Sequence, residues 1–122
     1  MLIFYWAMNM YTEEKPWGSY TNLLDEEYVK VKKIVIKPGE APSYQYHFKR
    51  SEVWIIVKGQ AEVKIDDVIM QYSVGDIICI PKEAAHQVTN IGDDELVFVE
   101  VQLGEYFGED DIVRLEDKYG RV

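Results

Sequence analysis

Apolar and polar positions alternate with period two through VKVKKIVIK (29–37) and AEVKID (61–66), the spacing at which successive side chains leave opposite faces of a strand. EVWIIV (52–57) and LVFVEV (96–101) are denser in β-branched and aromatic residues, as more fully buried strands tend to be. Between such runs stand turn signals: PGEAPS (38–43), KG (58–59), DD (66–67), GD (75–76) and IGDDE (91–95). Many short strands with Gly, Asp and Pro punctuation predict an all-β, antiparallel sandwich or barrel. Helical periodicity is confined to the acidic stretch GEDDIVRLEDKYG (108–120).

Composition narrows the class. With 122 residues, 48% hydrophobic and 29% charged, the chain has the balance of one domain that folds around a single core without disulfides. Its one cysteine, Cys79, lies in the apolar run DIICIP (76–81) and is expected to be a small core residue in a reducing compartment. The net charge of -9 argues against nucleic acid or an anionic membrane as partners, so any anionic ligand must find local positive charge. MLIFYWAM (1–8) is too short to span a bilayer and lacks the marks of a signal peptide. Residues 1–13 therefore read as an arm or extra edge strand, residues 14–122 as the domain, and the cytoplasm as the setting.

Inward-facing polar residues on strands mark where chemistry can sit, since a strand interior normally excludes them. Gln45, His47 and Lys49 are spaced by two, so an extended segment would point all three one way. Glu52 opens the next strand, and His86 follows the apolar strand Gly75–Pro81 and a polar turn; His47 and His86 are the chain's 2 histidines. His and carboxylate donors on neighbouring strands, with a Gln oxygen as weaker donor, suit one divalent ion: zinc first, then manganese, cobalt, nickel or iron.

Both segments resemble the motifs of the cupin superfamily. Pro38-Gly39, His47, Glu52 and Gly59 hold the places of the first, and Gly75, Pro81, His86 and Asn90 those of the second. Glu83 stands where glycine is usual, and Lys49 where a generic cupin carries a second histidine. The resemblance narrows through EKPWGSY (14–20), KVKKIVIKPGE, SYQYHFKRSEVWIIVKGQAEV, IPKEAAHQVTN and the tail LVFVEVQLGEYFGEDDIVRLEDKYGR. Over residues 14–121 the chain is similar to the C-terminal domain of type II mannose-6-phosphate isomerases, usually fused to a mannose-1-phosphate guanylyltransferase though free-standing copies exist.

That resemblance implies a single cupin barrel, a double-stranded β-helix or jelly roll, and a homodimer. It also implies a metal-dependent interconversion of mannose 6-phosphate and fructose 6-phosphate, moving a proton between C1 and C2 through an enediol. The implied metal ligands are Gln45, His47, Glu52 and His86, like the Gln, His, Glu, His set of the zinc-dependent type I isomerases. Lys49 and Glu52 are the local candidates for the base. Arg50, Arg114 and Arg121, with Lys49, are the candidates for substrate, because an arginine fork can pair two phosphate oxygens; Arg114 also joins the catalytic set. The family's Q-x-H-x-H-R-x-E-H-W is broken here at Lys49 and Val53. Lys49 is then either a neighbour of an intact metal site or a replacement for the ion, paired with Glu52. The rival functions are a non-catalytic cupin binding a sugar phosphate or sugar nucleotide and, disfavoured by the family tail, a dioxygenase-type cupin. Trp17, Gly18 and Trp54 are expected to pack, Asp110 and Asp111 to form a solvated turn, and Tyr44 and Tyr46 to border the pocket.

Overall fold

The computed structural model describes residues 10–121, so MLIFYWAM lies outside the described residues. The strands are β1 (Tyr11–Lys15), β2 (Gly18–Asp25), β3 (Val29–Ile36), β4 (Tyr44–Tyr46), β5 (Arg50–Lys58), β6 (Gln60–Ile65), β7 (Val68–Ser73), β8 (Ile77–Ile80), β9 (His86–Asn90), β10 (Leu96–Gly104) and β11 (Val113–Glu116). One sheet runs β1-β2-β3-β10-β5-β8 and the other β11-β4-β9-β6-β7. Their pairings are antiparallel, and the two sheets close on one core as a cupin jelly roll. The boundary expected between residues 13 and 14 falls inside β1, which lies at the edge of its sheet.

Local chemistry sets the turns. Asp66 and Asp67 take φ of 46° and 69° between β6 and β7, the left-handed pair whose twist matches a two-residue hairpin. Gly59, at φ 89°, turns β5 into β6, where an added Cβ would lie 2.7 Å from the Glu95 carbonyl oxygen; only glycine fits there.

Two expectations need correction. The acidic stretch 108–120 forms a single 3-10 turn, Glu109–Asp111, and then β11; pairing of Val113 and Arg114 with β4 outweighs a weak helical period. Cys79 is exposed, because β8 alternates Ile78 and Ile80 inward with Ile77 and Cys79 outward at a sheet edge.

The register decides where the site lies. Ile36 pairs with Leu96, and Ile34 with Phe98, which also meets Ile56; Ile36, Leu96 and Ile56 fill a dry end with Val63 of the facing sheet, and Ile34, Phe98 and Val88 form apolar wall where the interior begins to open. One inward step on, Lys32 pairs with Glu100 and Glu100 with Trp54, and beyond that Gln102 pairs with Glu52. All but Trp54 are polar, and all are buried. The three strands therefore change from apolar to polar at the same level, giving the barrel one packed end and one polar mouth. Among the described residues, no helix is long and apolar enough to cross a membrane.

Candidate metal centre

Three donors converge at the mouth. β4 ends at Tyr46, leaving His47 just beyond it; Glu52 points inward from β5; and His86 opens β9 opposite Gln45. His47, Glu52 and His86 are all buried, with ligand atoms within 4.8 Å of one another. His47 Nε2 lies 3.3 Å from Glu52 Oε2, and His86 Nε2 lies 3.9 Å from Glu52 Oε1.

Backbone carbonyls orient both rings. Nδ1 of His47 is 3.1 Å from the Asp111 carbonyl and Nδ1 of His86 is 2.9 Å from that of Ala84. A carbonyl only accepts, so each Nδ1 carries the proton and each Nε2 presents a bare lone pair, the state a metal requires. Burial lowers the His86 pKa and keeps the ring neutral. At Glu52 burial opposes charge, but contact with His47 and the fields of His86 and Arg50 outweigh it and hold the carboxyl well below its usual range. Gln45 Oε1 is buried with no hydrogen-bond partner, an uncompensated acceptor beside these donors. The set fits a divalent ion.

One residue already uses the same lone pairs. Arg50 is buried; its Nε donates to Glu52 Oε2 at 2.9 Å and its Nη2 to His47 Nε2 at 3.2 Å. Its Nη1 is buried without a partner, so this pose leaves one guanidinium donor unpaired. Seating an ion requires the guanidinium to turn toward the cavity. Arg50, expected as a candidate for substrate, lines the cavity as a buried cation lodged among the ligands.

The mouth opens into a cavity of about 180 Å³ whose walls include Lys15, Lys32, Arg114, Arg121, Glu100 and Gln45. Arg114 Nε is buried and unpartnered, whereas Arg121 is held by Asp117, its Nε 2.6 Å from Oδ2. Basic side chains outnumber carboxylates on these walls although the whole chain is acidic, so the local positive charge an anion needs is present. Glu100 accepts from Gln102 Nε2 at 2.6 Å, while Lys32, its cross-strand neighbour, turns to Glu109 at 3.1 Å. Burial, and then the negative field of Glu52, push Glu100 up to about 8. It is a carboxyl that keeps its proton near neutrality.

Lys49 is not where extended spacing puts it. The chain bends at Phe48 and Lys49, whose amides donate to the Asp111 carboxylate at 3.2 and 2.9 Å. The bend breaks the period-two parity, and Lys49 lies exposed with Nζ 4.8 Å from the centre of the Tyr106 ring. It neither lines the cavity nor pairs with Glu52. Val53 also faces outward, opposite Val101 and Cys79, so both departures from the family motif lie off the donors. Asp111 is no solvated turn residue: it is buried and ties the tail to the His47 loop through three hydrogen bonds. Tyr44 is buried and donates to Asp67 rather than bordering the cavity. Trp54 lines the cavity and donates to Glu52 Oε1 at 2.9 Å.

Sequence reasoning missed Glu100 and Lys32 as cavity residues. Both sit at inward parity on alternating strands, the signal applied above to Gln45 and His47 and not carried to LVFVEV and VKVKKIVIK.

Comparison with known proteins agrees with this architecture. Residues 7–117 match the family model described as Mannose-6-phosphate isomerase C-terminal. A mannose-1-phosphate guanylyltransferase of Sinorhizobium fredii is 43% identical over 85% of this chain and 20% of its own length. The alginate biosynthesis protein AlgA of Pseudomonas aeruginosa is 44% identical over 88% of this chain and 22% of its own. The chain thus spans about a fifth of these relatives. Among solved structures, oxalate decarboxylase from Bacillus subtilis superposes with a TM-score of 0.78 at 20% identity, over 88% of this chain and 30% of that one. The capsular polysaccharide assembling protein CapF from Staphylococcus aureus gives 0.75 at 24%, over 88% and 32%. At these identities the structures speak for the cupin fold alone.

Proposed function

The chain belongs to the mannose-6-phosphate isomerase C-terminal family, and from that premise we propose that it is a metal-dependent isomerase of mannose 6-phosphate and fructose 6-phosphate, working in the cytoplasm. The observation that carries this reading is the set of two bare imidazole nitrogens and one ionised carboxylate facing a cavity with basic walls. A divalent ion, zinc first, held by His47, Glu52, His86 and Gln45 Oε1 would supply the electrophile that polarises the sugar carbonyl. Arg114 has a donor to spare for the phosphate, and Arg121 and Lys15 extend the same positive wall.

The proton between C1 and C2 needs a group that holds and releases it near neutrality. Lys49 lies outside the cavity, and both oxygens of Glu52 are already engaged. Glu100 faces the cavity with a carboxyl poised at about 8 and is the group we assign to this step.

The lodged Arg50 supports the rival reading, a cupin that binds a sugar phosphate without turning it over. A coupled assay separates the two. Chelated protein is expected to be inactive and to regain turnover of mannose 6-phosphate when zinc, manganese, cobalt or nickel is returned. Absence of turnover with all four, alongside saturable binding of the sugar phosphate, would leave the binding reading in place.

A further inference from the structure

We propose that the Glu109 carboxylate is a displaceable stand-in for an anionic ligand group of the phosphate class, and that Lys32 is the seat it occupies. Lys32 stands on the six-stranded sheet, whereas Arg114, to which the isomerase reading gives the phosphate, stands on the five-stranded one. The seat requires neither a metal nor turnover, so it stands or falls separately from that reading.

Lys32 is an inward lysine that the barrel's own strands leave without a counter-charge. It is buried, and a buried ammonium needs an anionic partner. Its neighbours on the flanking strands are Asn22 and Glu100; the first is uncharged, and the second is turned to Gln102 at 2.6 Å. The partner comes instead from the tail, 77 residues on, where Glu109 Oε1 lies 3.1 Å from Lys32 Nζ. The Tyr20 ring, its centre 4.3 Å from Nζ, helps to hold the ammonium in place.

Two features make Glu109 an occupant rather than a fixture. Its side chain is 53% exposed against 6% for Lys32, so it reaches the lysine from the solvent side. Its backbone is anchored independently: Asp111 of the same turn is buried, bound to the His47 loop, and donates its amide to the Gly108 carbonyl at 3.1 Å. Rotation about the Glu109 side-chain bonds therefore frees Lys32 without moving a strand or the turn.

Charge at the seat suits a stronger anion than one carboxylate. Burial opposes ionisation of Glu109, but Lys32, and then Arg50 and Lys30, outweigh it and hold the carboxyl below its usual range. Three cations thus favour negative charge at one point. An ammonium has three N–H donors, of which Glu109 takes one. A half-exposed ion pair contributes little, whereas a phosphate brings about two charges and three terminal oxygens to the same donors.

The test titrates the full chain with inorganic phosphate, and then with mannose 6-phosphate, by calorimetry before and after chelation. Glu109→Gln keeps the side-chain length and removes the charge. It is expected to tighten phosphate by about ten-fold or more, since a tethered carboxylate competes at a millimolar effective concentration. Adding Lys32→Met is expected to abolish the gain. Asp110→Asn removes the same charge from the next, exposed position and is expected to stay within about two-fold, as screening of an exposed charge requires. An unchanged affinity in Glu109→Gln would overturn the proposal, as would an equal gain in Asp110→Asn or a gain that survives Lys32→Met. Should circular dichroism show Lys32→Met unfolded, the two single tail variants decide. A gain seen only before chelation would put the phosphate on a bound metal and overturn the seat. A gain for phosphate alone supports a seat for the free anion, and a gain for both ligands supports one that the sugar phosphate reaches.

Discussion

Ile36, Leu96 and Ile56 close one end of the barrel with no side-chain polar atom to satisfy, while Lys32, Glu52, Glu100 and Gln102 stand on the same three strands toward the other end. Both groups are buried. At the dry end burial is the stabilising term, worth about 1.5–3 kcal/mol for each large apolar side chain. At the mouth the same burial is a cost, which the structure offsets with an Arg50–Glu52 ion pair at 2.9 Å, a Trp54 hydrogen bond and a proton kept on Glu100. Removing one partner of such a pair exposes the desolvation cost of the other. The dry end thus serves stability, and the mouth holds unmet polar capacity that a ligand can use, most plainly at Gln45 Oε1, Arg50 Nη1 and Arg114 Nε.

The sharpest way to break this contrast is to damage the dry end and read the mouth. Leu96→Ala removes a fully buried side chain and is expected to cost about 2–5 kcal/mol in denaturant unfolding. The metal bound per folded chain should stay unchanged. A matching loss of metal affinity would show that the two ends are not separable.

Next comes Glu100, raised from 4.5 to about 8. A folded pKa above the unfolded one stabilises fully below the unfolded value, and that stability is lost as pH rises through the folded value. Metal-free protein should therefore lose stability progressively from pH 5 to 9, on the order of 1 kcal/mol per pH unit at the steepest. Glu100→Gln should abolish that slope and lower turnover. An unchanged slope in the variant would remove Glu100 from the account.

A smaller effect is expected at Glu83, which holds φ 67° in the turn between β8 and β9 while its amide donates to the His47 carbonyl at 2.7 Å. A left-handed non-glycine residue costs roughly 1–2 kcal/mol, of which glycine's extra unfolded-state entropy returns part. Glu83→Gly should raise unfolding stability by up to about 1 kcal/mol with metal binding intact. The smallest effect belongs to Lys49: Lys49→Met should leave kcat and KM within about two-fold, under roughly 0.4 kcal/mol. A ten-fold fall would return Lys49 to the site.

Most of the strand plan was legible because alternation and turn residues are local: β3 and β6 sit where period two puts them, and β5 and β10 lie on the two apolar runs, although these alternate buried and outward positions rather than being buried throughout. The donors His47, Glu52 and His86 were legible through motif spacing. Lys49 was misplaced because parity holds only while the strand continues, and the break comes from Asp111, more than 60 residues away in sequence. Cys79 was misread for a related reason: an apolar run shows what a strand contains but not that its outer face is left uncovered by its own barrel. Arg50 could not be placed, since its position depends on three-dimensional proximity to His47 and Glu52 that no spacing encodes.

His47, Glu52 and His86 are proposed to hold a divalent ion at the mouth even though Arg50 lies among them. Metal content of the untreated protein, with Glu52→Gln beside it, tests this most directly. About one ion per chain in the wild type, and at least a hundred-fold weaker rebinding of added metal in the variant, is the expected result. A wild-type chain that carries no metal and takes up none when zinc, manganese, cobalt and nickel are supplied would contradict it, leaving Arg50 as the permanent cation of the site.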